Sequence, residues 1–361
     1  MFRHGIAIVA ITRRGVETAV KIQAALAVLE MRSKIYAPKR YLREGVIPIE
    51  QKLDEFFKAT YSTVDALVAV MATGITIRAI APYLTNKLTD PAVVGVDANG
   101  KFAISLLSGH YGGANELTRL IAEGIGATPV ITTASDSLGK QSVDELARTL
   151  HLTIMNPKSL VAVNAAIVDG DRLALILVGD ARIPTDTVHG YTVEKAENVK
   201  EAVEIANAYQ AAAIVTDDFV PMETASKPIV VLKPKRIVIG VGARKEISEA
   251  QILNAVYTAL AKVNLPLERV NSLATIDIKR DSQSIMSATE KLGLKLEFVS
   301  IDELRALRHE DLSPDSKLVL EKMGVGGVCE QAALIKAGKT PHLLLKKQKL
   351  KGVTVAIAEG E

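Results

Sequence analysis

One cysteine, no tryptophan and only 4% aromatic residues set the first limits on this 361-residue chain. A lone Cys329 can form no intramolecular disulfide, and it excludes a cysteine-rich metal site. So few aromatics leave no stacking platform for single-stranded nucleic acid. No apolar stretch reaches about 18 residues without a charge, so no membrane-spanning helix is expected. The run Ile6 to Ile11 is too short for a span and no small-residue cleavage site follows it, which makes the cytoplasm the expected location. Net charge is only +3, a poor footprint for a nucleic-acid binder. The basic runs are short: Lys39-Arg40 with Arg43, Lys233 to Arg236, and Lys346 to Lys351. Solvated surface charge is their simplest account, and attraction of a polyanionic substrate is the functional one. There is no H-E-x-x-H or comparable metal spacing, and no serine sits in a G-x-S-x-G elbow.

What the chain does have is a globular composition, 48% hydrophobic and 24% charged. Its length suggests two or three domains. Short apolar runs alternate with helical patterns through the first third. Ile6 to Ile11, Lys34 to Ala37, Leu67 to Met71 and Pro129 to Thr132 read as strands, and Gly15 to Met31 and Gly113 to Glu123 as helices. Val93 to Val96, Asn99-Gly100 and Phe102 to Leu107 read as a hairpin with a two-residue type I′ turn. Ser142/Glu145, Ser248/Gln251 and Ser300/Glu303 have capping-box spacing, and Ser313-Pro314 reads as a helix start. Lys233 to Arg236 reads as a linker. The expected fold class is α/β: three consecutive units, 1–138, 139–232 and 236–361, with open, mostly parallel sheets and flanking helices. Polar special residues are sparse in the middle unit, which suggests a spacing or covering role.

Ligands of open α/β sheets bind beyond the carboxyl ends of strands, so the turns there carry the candidates. Ser108-Gly109-His110-Tyr111-Gly112-Gly113-Ala114-Asn115-Glu116 is the most informative. Three glycines in five residues cost backbone entropy unless close approach or positive φ is needed. An isolated histidine is more often structural, but His110 in this setting is a candidate proton carrier. Gly112 and Gly113 could offer N–H groups to an oxyanion, and Ser108 is a possible nucleophile. Thr73-Gly74 with Arg78 could form an anion-binding turn at a helix start. Thr132, Thr133 and Asp136 form a hydroxyl-rich turn, and Asp90 stands in a polar turn before Pro91. Near the C-terminus, Gly242, Arg244, Lys279 and Glu330 lie beside strands or open a helix. Structural explanations are adequate for each of these last four singly.

Together these segments resemble one family. They are Met71 to Ile75 with Arg78 to Pro82, Lys87 with Thr89 to Val94, Ser105 to Leu117 without Tyr111, and Ala127 to Asp136. The similarity is to the cobalt-precorrin 5A hydrolase family of the anaerobic route to cobalamin. It spans essentially the whole chain; the N-terminal block is highly specific and the middle is vague. Gly240 to Arg244, Ser272 to Lys279 and Val328 to Leu334 are similar to a small domain also found alone in the aerobic pathway. Two positions depart from the pattern: Ala243, where the family commonly carries cysteine, and Glu246, near a usual glycine.

The resemblance implies hydrolysis of a δ-lactone on a cobalt-containing corrinoid, with acetaldehyde released. The cobalt comes with the substrate, so no cofactor and no protein-bound metal are expected. The expected partner is that small molecule, with neither nucleic acid nor membrane; transient contact with neighbouring pathway enzymes is compatible with it, and oligomeric state is left open. In this reading His110 is the general base, with Glu116 or Asp90 orienting its ring and Gly112 and Gly113 holding the oxyanion. Thr73, Gly74, Arg78, Ser108, Gly109, Asn115, Thr132, Thr133, Asp136, Gly242, Arg244, Lys279 and Glu330 would contact the substrate. Two alternatives stand beside it: a tetrapyrrole carrier without chemistry, and an unrelated α/β enzyme with a phosphorylated or nucleotide ligand. The lack of a complete nucleotide fingerprint argues against the second.

Overall fold

The structure is a computed structural model describing every residue except Met1, Arg3, Glu30, Lys87, Leu88, 134–138, Lys245 and 315–326, together with the side chain of Thr187. Its contacts group into two compact units. The first comprises Met1–Thr149, Asn156–Leu173 and His189–Thr192; the second comprises Leu150–Met155, Ala174–Val188 and Val193–Glu361. No helix among the described residues is long and apolar enough to cross a membrane.

The first sheet has seven strands: β1 (Ile6–Ala10), β2 (Ser33–Pro38), β3 (Val46–Ile49), β4 (Ala66–Val70), β5 (Ala92–Val96), β6 (Phe102–Leu107) and β7 (Thr128–Val130). Helices α1 (Arg13–Val28), α2 (Leu53–Thr60), α3 (Thr73–Ile80) and α4 (Ala114–Ile125) cover it. The period-2 alternation of a strand decides which helix each residue meets. Ile6, Ile8 and Ala10 join a core with Val16, Ala19, Ile22 and Leu26 of α1 and Leu117 and Ile121 of α4. Ala7 and Val9 join a second core with Phe56 and Phe57 of α2 and Ile80 of α3. With both faces covered, β1, β4 and β5 are buried along their whole length, which is why they read as unbroken apolar runs.

Strand order is β3-β2-β1-β4-β5-β6-β7. The first five are parallel, β6 runs antiparallel to β5, and β7 runs parallel to β6. The β5–β6 connection is longer than the expected two-residue turn. Of Asn99 and Gly100 only Gly100 takes a positive φ, +68°, so the type I′ geometry is not met. The Asp97 carboxylate holds the loop by accepting the N–H groups of Asn99, Lys101 and Phe102.

Two further helices of the first unit, α5 (Val143–Thr149) and α6 (Leu160–Val168), come from the central stretch of the chain. The central strands form a five-stranded sheet in the order β10-β9-β11-β12-β8. They are β8 (Leu152–Ile154), β9 (Leu173–Val178), β10 (Thr192–Ala196), β11 (Ala211–Val215) and β12 (Ile229–Pro234), with α7 (Val199–Ala206) packed against them. A third sheet, β15-β14-β13-β17-β16, contains β13 (Arg236–Ala243), β14 (Ser272–Ile276), β15 (Lys295–Val299), β16 (His342–Leu350) and β17 (Val353–Gly360). Its helices are α8 (Glu249–Lys262), α9 (Gln283–Lys291), α10 (Ile301–Ala306) and α11 (Cys329–Ala337). Three α/β sheets thus follow one another along the chain, as the composition and alternation suggest. Both α8 and α10 start with complete capping boxes, Ser248/Gln251 and Ser300/Glu303. Residues 315–326, which follow Pro314, are outside the described residues.

The expected linker is a correction: Lys233 and Pro234 end β12, Arg236 begins β13, and only Lys235 lies between them. Its ammonium is fixed 3.0 Å from the Glu359 carboxylate. Glu359 is buried and also contacts His151 Nδ1 at 2.7 Å and His342 Nε2 at 3.0 Å. Burial alone would raise its pKa. The hydrogen bonds of His151 and His342 and the charges of His151 and Lys235 outweigh that and hold it well below the usual carboxylate range. Buried Arg269 donates to the carbonyls of Leu150, His151 and Lys235. In the third sheet, a Cβ on Gly240 would fall 1.8 Å from the Cys329 carbonyl oxygen, so only glycine lets α11 lie this close to β13.

Candidate active site

At the end of β6 the chain turns into α4 through Ser108 to Gly113. The turn closes on itself: the carbonyls of Ser108, Gly109 and His110 accept the N–H groups of Ala114, Asn115 and Gly113 at 3.0–3.1 Å. Ser108 takes φ +55°, a strained conformation for a residue with a side chain. Its hydroxyl is buried with no hydrogen-bond partner among the described residues. A Cβ on Gly112 would lie 2.4 Å from the Ser108 Cβ and 2.9 Å from its carbonyl oxygen, so the crossing tolerates only glycine. Gly113, at φ +85°, caps α4.

His110 emerges from this turn with 15% of its side chain exposed. Its Nδ1 lies 3.5 Å from Oδ2 of Asp144, a residue of α5 that is 3% exposed. Asp144 Oδ1 accepts the Asn164 side-chain amide of α6 at 2.6 Å. Asn164 Oδ1 in turn accepts the backbone N–H of Val143 at 3.1 Å. Next to them the Tyr191 hydroxyl donates to the Gln141 carbonyl at 3.0 Å. Burial, then the negative charges of Asp144 and Glu145, push the Tyr191 phenol well above its ordinary value. Arg148 of α5 pairs with Glu116 of α4 at 2.6 Å.

Several expected roles change with these positions. Asp90 is buried, and its carboxylate accepts the backbone N–H and hydroxyl of Thr85. Glu116 is paired with Arg148. Among the described residues, the carboxylate in ion-pair range of His110 is Asp144, rather than Asp90 or Glu116. The Gly113 N–H is spent on the His110 carbonyl, which removes it as an oxyanion donor, whereas the Gly112 N–H donates to no backbone carbonyl among the described residues. Asn115 is buried and acts as a staple: it accepts the Ser105 hydroxyl at 2.7 Å and donates to the Thr133 hydroxyl at 3.0 Å. Gly109 packs against it, since a Cβ there would meet Asn115 Oδ1 at 2.7 Å. Buried Ser108 has its hydroxyl inside the turn, away from solvent, which argues against a nucleophile. Thr132 is exposed beside the turn, and Asp136 lies outside the described residues.

Thr73, Gly74 and Arg78 are not brought to His110. Val70 of β4 pairs with Val96 of β5, whereas Leu107 of β6 pairs with Val93 at the start of β5. The reversal of β6 therefore puts the Thr73 turn and the His110 turn at opposite ends of the sheet. In the second unit, Gly242 near the end of β13, Arg244 just after it and Lys279 after β14 share one sheet end, because those strands are parallel. Arg244 is exposed and Gly242 packs beside Thr354. Glu330 is buried and accepts the Ser313 N–H and hydroxyl and the Lys347 N–H, a structural duty that leaves it unsuited to substrate. A cavity of about 480 Å³ at the starts of β1 and β2 is lined by His4, Arg32, Ser33, Lys34 and Tyr36, among others, and by none of the turn residues. Among the described residues no group of three or more His, Cys, Asp and Glu could hold a metal ion.

Sequence reasoning missed Asp144 and Asn164. An acidic residue in a capped first turn reads as a partner for the helix dipole. A better signal was Asn164, the one polar side chain in the apolar helix Leu160–Val168.

Comparison with known proteins covers almost the entire length. Residues 55–136 match the family described as Cobalamin synthesis G N-terminal, 141–234 the Cobalamin biosynthesis central region, and 237–358 the Cobalamin synthesis G C-terminus. A cobalt-precorrin-5A hydrolase of Priestia megaterium is 30% identical over 99% of this chain and 95% of its own. A probable cobalt-precorrin-5A hydrolase of Methanocaldococcus jannaschii is also 30% identical, over 98% of both chains. The crystal structure of a putative cobalamin biosynthesis protein G homolog from Sulfolobus solfataricus shares the fold, with TM-score 0.55 and 24% identity over 99% of this chain and 98% of that one.

Proposed function

The chain belongs to the cobalamin synthesis G family, and on that footing we propose that it hydrolyses the δ-lactone of cobalt-precorrin 5A, releasing acetaldehyde and giving cobalt-precorrin 5B. The observation that carries the reading is end-to-end similarity to relatives bearing that hydrolase name, covering 95% and 98% of their lengths. The partly exposed imidazole of His110, set in a strained turn at a sheet end, supports it from the side of chemistry.

In this mechanism His110 takes a proton from water as the oxygen attacks the lactone carbonyl. The N–H of Gly112 faces the developing oxyanion. Collapse of the tetrahedral intermediate breaks the acyl C–O bond, and the expelled alkoxide takes the proton back from the imidazolium. Loss of that hydroxyl proton then lets the C–C bond to C20 break. Its electron pair stays on the macrocycle and acetaldehyde departs. Cobalt is part of the substrate, and the hydrolysis calls for no further cofactor. Thr132 is assigned to a peripheral carboxylate. Thr73, Gly74 and Arg78, at the other sheet end, are not assigned to the lactone. Cytoplasmic residence belongs to the same proposal and is compatible with the free, buried thiol of Cys329.

Incubating the purified protein with the cobalt lactone precursor tests the reading through acetaldehyde release. His110→Ala is expected to abolish release while circular dichroism stays native. Near-normal turnover by that variant would reject the base role. A wild-type protein that binds the precursor without releasing acetaldehyde would be a carrier, and the hydrolase reading would fail.

A further inference from the structure

We propose that Asp144, held in place by Asn164, is the positioning residue that fixes the His110 tautomer. The middle family segment, 141–234, would then complete an active site carried by the N-terminal one, and not merely space the sheets. This deepens the hydrolase reading and rests on it for its effect on turnover, though not for its effect on the ring.

A neutral imidazole is a donor at one nitrogen and an acceptor at the other, and the partner of one decides which. Asp144 Oδ2 lies 3.5 Å from Nδ1. An ionised carboxylate can only accept, so it draws the proton to Nδ1 and leaves Nε2 with the lone pair a general base needs. The distance is at the outer limit of a hydrogen bond, as is common where catalytic contacts tighten on substrate binding.

Asp144 is itself fixed. At 3% exposure its charge needs partners, and the Asn164 amide supplies one at 2.6 Å. Asn164 cannot swing away freely, because its other end accepts the Val143 N–H. Asp144 and Glu145 both act on the Tyr191 phenol, and Arg148 and Glu116 pair with each other. Of these carboxylates, Asp144 is the one in ion-pair range of the His110 ring.

The deciding measurement is ¹H–¹⁵N correlation of the histidine side chains in substrate-free full-length protein, with His110 assigned by its absence from His110→Ala. The wild type is expected to show the Nδ1–H form, and Asp144→Asn to lose that preference. Asp144→Asn should also lower kcat by about 10²-fold or more, the usual share of a general base, while KM changes little. Asn164→Ala, which keeps the carboxylate, should give a smaller loss in the same direction, and it serves as the second reading if Asp144→Asn does not fold. An unchanged His110 tautomer in the folded variants would overturn the proposal whatever the turnover. If the tautomer shifts but His110→Ala still turns over, positioning stands and the base role of the preceding section fails.

Discussion

Two histidine–carboxylate contacts in this chain are built in opposite ways. In the second unit Glu359 is gripped by His151, His342 and Lys235 at 2.7–3.0 Å. In the first unit Asp144 meets His110 at 3.5 Å and His110 keeps a solvent-facing edge. Each contact sits near a residue other than glycine at a positive φ, His151 at +53° and Ser108 at +55°. At His151 the surroundings over-determine the conformation: its carbonyl accepts Lys235 N–H and Arg269, and its ring holds Glu359. At Ser108 the carbonyl is satisfied but the buried hydroxyl has no partner among the described residues. A fully satisfied charge cluster stabilises one conformation, whereas a looser one leaves a group able to exchange protons. In the proposed reading, the difference separates a structural clasp from a site of proton transfer more surely than residue type does.

The comparison can be broken from either side. The largest stability effect should come from Glu359→Gln, which leaves Lys235 and two histidines without their carboxylate. A loss of about 3 kcal/mol in urea unfolding is expected, with kcat per folded molecule unchanged. Because the Glu359 pKa is depressed in the folded state, its contribution is complete above the ordinary glutamate value of 4.5 and is lost as pH falls below it. Wild-type stability should therefore decline on acidification more steeply than that of Glu359→Gln. Next comes Gly112→Ala, whose new methyl meets Ser108. About 2 kcal/mol of stability and at least roughly tenfold in kcat should go, the latter because the imidazole is displaced. The smallest effect is expected from Glu116→Gln. That pair is partly exposed, so thermal melts should register less than about 1 kcal/mol.

Much of the first sheet is legible in the sequence because β1, β4 and β5 are short, apolar and separated by amphipathic helices. The edge strands of the second sheet, Thr192–Ala196 and Leu152–Ile154, escape, since their residues are polar or too few to show a period. The His110 turn is legible through its glycines, and packing explains Gly109 and Gly112. What local reading cannot supply is pairing across the chain. The contact of Asp144 with His110 spans two segments of the fold, and the antiparallel course of β6 separates motifs only about 35 residues apart in sequence.

The Cys329 thiol lies where α11 presses on β13, 1% exposed, and burial pushes its pKa up to about 11. Thiolate is scarce there at neutral pH and reagents cannot reach it. Iodoacetamide consumption by this chain therefore counts opening events of the third sheet, so the molecule carries an intrinsic reporter of that sheet's breathing without any introduced label.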